Sequence, residues 1–231
     1  MAGQREVSVV VEPDGRATRW DGHKAERREL ILDAAIEAVS DEGAQVGVQH
    51  IAARAGLPRS VVYRIFRDRE DLDEQIRARI VERLMTELSP ALTPRGTLQE
   101  WVNGAVQTYL GWVMEFPRLH QFLGSGSASR RTTGSRVVTG TKTAIAAQLA
   151  EFMNDTLRDS GADPSVAEPL AFGLIGLVDG SVNRWVSNPD AAVSSTQLGK
   201  FLADAIWQVL CCTLAREGLS ITSETALDDL G

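Results

Sequence analysis

Residues 48–66, VQHIAARAGLPRSVVYRIF, carry two short helical patterns separated by the break Ala55-Gly56-Leu57-Pro58. In the first, Ile51, Ala52 and Ala55 recur on one face; in the second, Val62 and Phe66 stand four apart. Gly56 supplies a natural stop for the first helix. Pro58 opens the second at a position where its missing N–H costs nothing. Helices of about two turns do not persist alone in water. Both must therefore lean on neighbouring helices, which restricts the fold to a helical cluster built around this turn.

The flanking sequence supplies those neighbours. From near His23, Ile31, Ala34, Ala35 and Ala38 form one apolar face, and the alanines allow another helix to approach closely. Gly43 is placed to end that helix. Asp68 is expected to cap a fourth helix, with Glu70 and Asp71 favourable in its first turn. That helix is expected to reach Leu88 and stop at Ser89-Pro90. Upstream, REVSVVVEPDGRATRW reads as two short runs about a Pro-Asp-Gly turn, a hairpin, with a mobile tail as the alternative.

Beyond Pro94 the composition changes. Trp101, Tyr109, Trp112, Phe116 and Phe122 fall in a short span and basic residues thin out. Helices are expected near 97–115, 117–123, 136–160, 165–188 and 195–217. GSGSASRRTTGS (124–135) reads as a flexible connection, and Asn188-Pro189 as a helix end. No segment alternates as a core strand, so the fold class is all-α. The expected organisation is an N-terminal extension (1–22), a three-helix domain with its linking fourth helix (23–90), a C-terminal helical domain (91–218) and a loose acidic tail (219–231).

Charge is unevenly spread. The chain of 231 residues has a formal net charge of −7, which excludes a wholesale nucleic-acid coat. Yet Val48–Arg69 holds five arginines and one acid, and Arg16–Arg28 holds five basic residues and two acids. Cys211 and Cys212 are adjacent on the last helix, where neighbours diverge by about 100°. They read as packing residues of a reduced, cytoplasmic protein. The histidines lack ligand spacing, and no metal, phosphate-loop, triad or cofactor signature is present, so neither enzyme nor cofactor is expected. No unbroken apolar run approaches a membrane span, and no membrane partner is expected.

A helix, a glycine-bearing turn and a second helix with basic residues near its start form the helix-turn-helix layout, whose second helix enters the major groove. Basic side chains around it neutralise phosphates. An acidic chain thus concentrates positive charge where it meets DNA. Residues 28–72, and ILDAAIEAVSDEGAQVGVQHIAARAGLPRSVVYRIFRDREDL in particular, resemble the tetracycline-repressor-like (TetR) family of bacterial regulators. TRWDGHKAERRE is similar to the basic extension of some actinobacterial members. The resemblance implies that Arg59, Ser60 and Val61 read bases and that Tyr63 binds phosphate, with Arg64 on the same basic helix. It places Arg69 at a phosphate-binding lysine position and Gln49 at a polar contact of the second helix. Val61 stands for the common threonine, Gly47 for the usual Ser/Thr cap and Ile65 for a frequent histidine.

For the second domain the resemblance implies ligand sensing and dimerisation. Trp101, Ala105, Tyr109 and Trp112 share one helix face, as residues lining an apolar pocket do, although the same stripe also suits plain core. Phe172 and Ile175, the polar Asp179 and Asn183 on their face, and His120 complete the candidate ligand set. Gly173, Gly176 and Gly180 weaken their helix by up to about 1 kcal/mol each. Close approach of a second helix would explain them, and the resemblance implies that of a second copy, with Leu177 and Arg184 on that side and Phe201, Leu202, Ala205, Ile206 and Val209 on the final helix; packing within the monomer is the alternative. The expected molecule is a homodimeric transcriptional regulator, a repressor that leaves double-stranded operator DNA when a mostly apolar small-molecule effector binds. The alternative is a helical small-molecule carrier or adaptor that no longer binds DNA specifically.

Overall fold

Gly43 and Gly56 adopt left-handed backbone (φ 84° and 66°), which side-chain-bearing residues disfavour, and each ends a helix there. In the computed structural model, which describes residues 15–125, 134–188, 190 and 192–227, these turns bring three helices together. They are α1 (Gly15–Glu42), α2 (Val48–Arg54) and α3 (Arg59–Ile65). Ile31, Ala35 and Ala38 of α1 are wholly buried against Ile51, Ala52, Val62 and Phe66. Leu57 N–H donates to the Ala52 carbonyl (2.9 Å), closing the turn, and Pro58 caps α3 with extended backbone.

Helix α4 (Arg69–Leu92) starts as the sequence predicts: the Asp68 carboxylate accepts from Asp71 N–H at 2.8 Å. It packs on α1 and then on α5 (Leu98–Glu115), α6 (Pro117–Gly124) and α7 (Arg136–Asp159). After a short 3-10 turn, α8 (Ala167–Val186) runs along α7, and α9 (Ser195–Arg216) runs along α5. Two reciprocal capping boxes, Thr97 with Glu100 and Ser194 with Gln197, fix the starts of α5 and α9. The all-α class holds among the described residues: the only extended pairing is one isolated bridge, Thr97 with Ala226.

Four expectations need correction. The second half of the N-terminal hairpin is helix: α1 begins at Gly15, eight residues before His23, while the first half lies outside the described residues. Alanine and arginine are good helix formers, and α1 once nucleated extends through them. Helix α4 does not stop before Pro90 but continues to Leu92. A proline in the last turn removes a single backbone bond, and Thr93 Oγ1 donates to the Ser89 carbonyl there.

The tail is not loose as far as Leu227. Leu227 is buried, its N–H donates to the Gly96 carbonyl (2.9 Å), and Leu98 N–H donates to the Thr225 carbonyl (3.4 Å). Cys212 is exposed rather than packed, and Cys211 is only half-buried. By length and mean hydropathy, Pro164–Val186 and Ser195–Arg216 do reach the range of a membrane span, although charges interrupt any apolar run. Most of the flexible connection, residues 126–133, lies outside the described residues.

Candidate nucleic-acid interface and ligand cavity

On α3 the pattern that buries Val62 turns Arg59, Ser60, Tyr63 and Arg64 outward, all exposed, with Val61 half-buried beside them. Arg59 and Tyr63 are one turn apart and coupled. The Arg59 Nη2 donates to the Tyr63 hydroxyl at 3.1 Å, and its guanidinium lies 5.2 Å from the ring centroid. This contact orders two long side chains on an open surface before any partner arrives. Gln49 is exposed in the first turn of α2, which Gly47 caps without a side-chain bond.

The other arginines of the basic stretch are not equally free. Arg54 turns back to α1, 2.6 Å from Asp41, with Glu37 and Glu42 nearby. Arg69 holds buried Asp73 at 2.8 Å and donates to the Val46 carbonyl at 2.8 Å. Burial still raises the Asp73 pKa, because desolvation outweighs Arg69 and Arg77. Arg69 is therefore a clamp between α4 and the turn before α2, with its Nε and one Nη already engaged. Arg67 pairs loosely with Asp71 (3.7 Å). Among the described residues, Arg59 and Arg64 remain the α3 cations without an acidic partner.

A cavity of about 470 Å³ opens among α4, α5, α7 and α8, within the size range of small-molecule sites. Trp101, Ala105, Tyr109, His120, Ile175, Asp179 and Asn183 line it, as expected. Two candidates do not. Trp112 is 1% exposed and packs on Phe116, 5.6 Å between centroids, so it is packed core beyond the end of the cavity, further along the same face of α5. Phe172 points outward and is 40% exposed. The residues that sequence reasoning missed come from α4 (Val81, Leu84, Leu88) and α7 (Ile145, Leu149, Phe152). Their apolar spacing was visible, but nothing local tells a cavity wall from a packed one.

The polar groups gather at one end. Tyr109 Oη and His120 Nε2 are 3.0 Å apart, leaving buried His120 Nδ1 without a partner. Burial lowers the His120 pKa to about 4, Asp179 and Lys142 acting in opposite senses, so the ring is neutral at physiological pH. Burial likewise raises the Tyr109 pKa. Lys142 Nζ lies 2.6 Å from Asp179 Oδ1, to which Asn183 Nδ2 also donates at 2.7 Å.

Helix α6 links this end to α1 and α4. Arg118 donates to the Ser40 carbonyl (3.1 Å) and to that of Asp41, at the end of α1. Arg77 of α4, 1% exposed, donates to the Ser125 carbonyl (2.8 Å) and to Glu74 (3.3 Å), and stacks 5.1 Å from the Phe122 centroid. Glu74 in turn accepts from Ser135 Oγ at 3.1 Å. Sequence reading singled out neither arginine, since a lone arginine inside a helical pattern looks solvated.

The dimer candidates divide. Gly173, Gly176 and Gly180 are exposed, and a Cβ built at any of them meets nothing within 4 Å. Arg184, Phe201 (56%) and Val209 (41%) are exposed as well, with Leu177 and Ala205 half-buried. Leu202 and Ile206, by contrast, are buried within the protomer, and Ile206 lines the cavity. They face the core because α9 packs along α5, which takes up the inward stripe of that broad apolar helix.

Comparison with known proteins agrees with this architecture. The family model described as bacterial regulatory proteins, tetR family, matches residues 31–76. Over 209 residues the chain is 30% identical to an HTH-type transcriptional regulator of Mycobacterium tuberculosis, covering 90% of this chain and 87% of that protein. The HTH-type transcriptional activator FasR of Mycolicibacterium smegmatis is 26% identical over 177 residues, 74% of this chain and 80% of that one. A tetR-family transcriptional regulator from Streptomyces coelicolor shares the fold, with a TM-score of 0.65 over 84% of each chain at 19% identity. With its helix-turn-helix in place and a regulator matching nine-tenths of its length, the chain belongs to the TetR family of bacterial transcriptional regulators.

Proposed function

We propose that the protein is a homodimeric, ligand-responsive repressor acting in the cytoplasm, released from operator DNA by a mostly apolar small molecule. In this reading residues 23–90 hold DNA and 91–218 sense the effector and dimerise, with α4 shared between them. Gln49, Arg59, Ser60, Val61, Tyr63 and Arg64 form the DNA contact. Arg59 and the α3 start address base edges, and Tyr63 a phosphate. Arg69 leaves that list as a primary contact, because it serves Asp73 and Val46.

The observation that carries the proposal is α6. It borders the cavity through His120, Leu123 and Gly124, and it is tied to α1 by Arg118 and to α4 by Arg77. A molecule that moves α6 therefore pulls on two helices of the DNA-binding cluster. Moving such a switch from 1:99 to 99:1 takes about 5.5 kcal/mol of differential affinity, within reach of an apolar ligand of this cavity's size.

The open glycine face supports the dimer. Among the described residues nothing closes on those glycines, and exposed Phe172 on α8 and Phe201 and Val209 on α9 add apolar surface. Helices α8 and α9 from each copy would form an isologous four-helix bundle. Mobility shift and in vitro transcription with the DNA upstream of the protein's own gene test the whole reading. The expected result is specific binding that lowers transcription. Because the relative FasR is named an activator, raised transcription would reverse the direction of control. Equal affinity for scrambled DNA would favour the carrier reading.

A further inference from the structure

The cavity is long rather than round. Its α4 wall runs from Val81 to Leu92 and its α7 wall from Val138 to Phe152. At 1.5 Å per residue these are about 16 Å and about 21 Å. An extended chain advances about 1.2 Å per bond, so a straight chain of a dozen or more bonds spans it.

The two ends differ in chemistry. Leu88, Leu92, Trp101 and Phe152 line one end, with the carboxylates of exposed Glu151 and Asp155 on its rim. Those carboxylates repel an anionic head. At the other end stand Lys142, which neutralises the Asp179 carboxylate beside it, Asn183 and the unpartnered Nδ1 of His120, a residue 4% exposed. These residues also border a second cavity, of about 610 Å³, whose wall includes the hydroxyl-bearing Ser125, Ser135, Thr139 and Ser187. An apolar tunnel thus opens through a polar throat into a polar vestibule.

We propose that this cavity takes a straight-chain acyl group. Its tail lies toward Trp101 and Phe152, and its carbonyl head meets His120, Lys142 and Asn183. The carbonyl oxygen competes with Asp179 for the Lys142 ammonium and Asn183 amide, and His120 Nδ1 gains the partner it lacks. Free carboxylates and acyl thioesters share this chemistry; the vestibule leaves room for a larger thioester head. The inference rests on the reading of the cavity as the effector site, but it concerns binding alone.

Isothermal titration of the full chain, without DNA, tests it with octanoate, dodecanoate and hexadecanoate below their micelle concentrations, and with their coenzyme A thioesters. Naphthalene serves as a compact apolar control. Affinity is expected to climb by about fourfold per added methylene until the tunnel is full, and naphthalene to bind more weakly than dodecanoate. Tighter binding of the thioesters would assign the vestibule to their head group; tighter binding of the free acids would assign the carboxylate to Lys142.

Leu92→Trp, which adds bulk at the apolar end, should penalise hexadecanoate more than octanoate, and His120→Phe should weaken all lengths by roughly tenfold. Ala105→Leu narrows the tunnel midway if Leu92→Trp does not fold, and the wild-type series decides without either. Equal affinity across lengths, or tighter binding of naphthalene, overturns the proposal. Length-dependent binding that leaves DNA bound would sink the release mechanism and spare this inference. Release by compact molecules alone would do the reverse.

Discussion

Arg59 and Tyr63 hold each other on the exposed face of α3, so the two substitutions should not act independently. Arg59→Ala should cost about 1–3 kcal/mol on the operator, as expected for a bidentate base contact, and far less on scrambled duplex. Tyr63→Phe keeps the ring under the guanidinium but removes the hydroxyl, and should weaken both duplexes alike. A double-mutant cycle should show non-additivity, since each side chain orients the other. Equal losses on both duplexes for Arg59→Ala would remove its base-reading role. The sequence marked this pair because recognition-helix residues carry a local pattern. It could not mark Arg54 and Arg69 as clamps, because Asp41 and the Val46 carbonyl become their neighbours only through packing, although Asp73 stands one turn after Arg69 on the same helix. His120 offers a second residue-scale prediction. Its pKa falls from 6.5 to about 4 on folding. The stability it contributes is complete above pH 6.5 and is lost as pH drops toward 4, by about 3 kcal/mol at the limit. Thermal midpoints of His120→Phe measured across that window should fall less steeply than those of the wild type; parallel curves would mean that His120 is already accessible to protons.

Helix α4 works at the scale of elements because its first turns serve two different neighbours. Arg69 grips the turn before α2, while Arg77, two turns on, grips the end of α6. Arg77→Met keeps much of the volume but frees the Ser125 carbonyl and Glu74. Operator affinity should stay within about threefold, since no DNA-facing side chain changes, while ligand-driven release should weaken by about 1–2 kcal/mol of coupling. Effector titrations of the operator complex would read this, and an unchanged midpoint would show that α6 does not transmit the signal. Helix starts and stops were largely legible, because caps and glycines act locally: Asp68, Gly43 and Gly56 all lie beside the ends they set. The stop at Pro90 misled because a last-turn proline costs so little. The tail misled because its polar composition hides Leu227, whose burial depends on Gly96 more than a hundred residues earlier. Deleting residues 219–231 should lower stability by about 2–4 kcal/mol, from one buried leucine side chain and two backbone hydrogen bonds. Urea unfolding with an unchanged midpoint would show that this segment is an ornament.

For the whole molecule the unsettled interface is the glycine face of α8, which the sequence flagged and which the protomer leaves uncovered. Within one chain, a side chain at Gly176 or Gly180 meets open space, and leucine is the better helix former by up to about 1 kcal/mol. Gly176→Leu and Gly180→Leu should therefore leave the isolated protomer as stable as before or slightly more so. Two copies facing each other lose that freedom, because each new side chain appears twice about the two-fold axis and holds the backbones apart. Sedimentation should show the variants dissociating at concentrations where the wild type stays dimeric. Operator binding should weaken in step, and the slope of log K against log[salt] should halve, because a monomer brings half of the phosphate contacts. Leucine at exposed Gln148, on α7, is the control for surface hydrophobicity alone. A wild-type sedimentation profile for both glycine variants would take the α8 glycines out of the interface and leave it to the exposed Phe201 and Val209 side of α9. A profile that dissociates while the salt slope stays whole would mean that two protomers bind DNA without touching through this face.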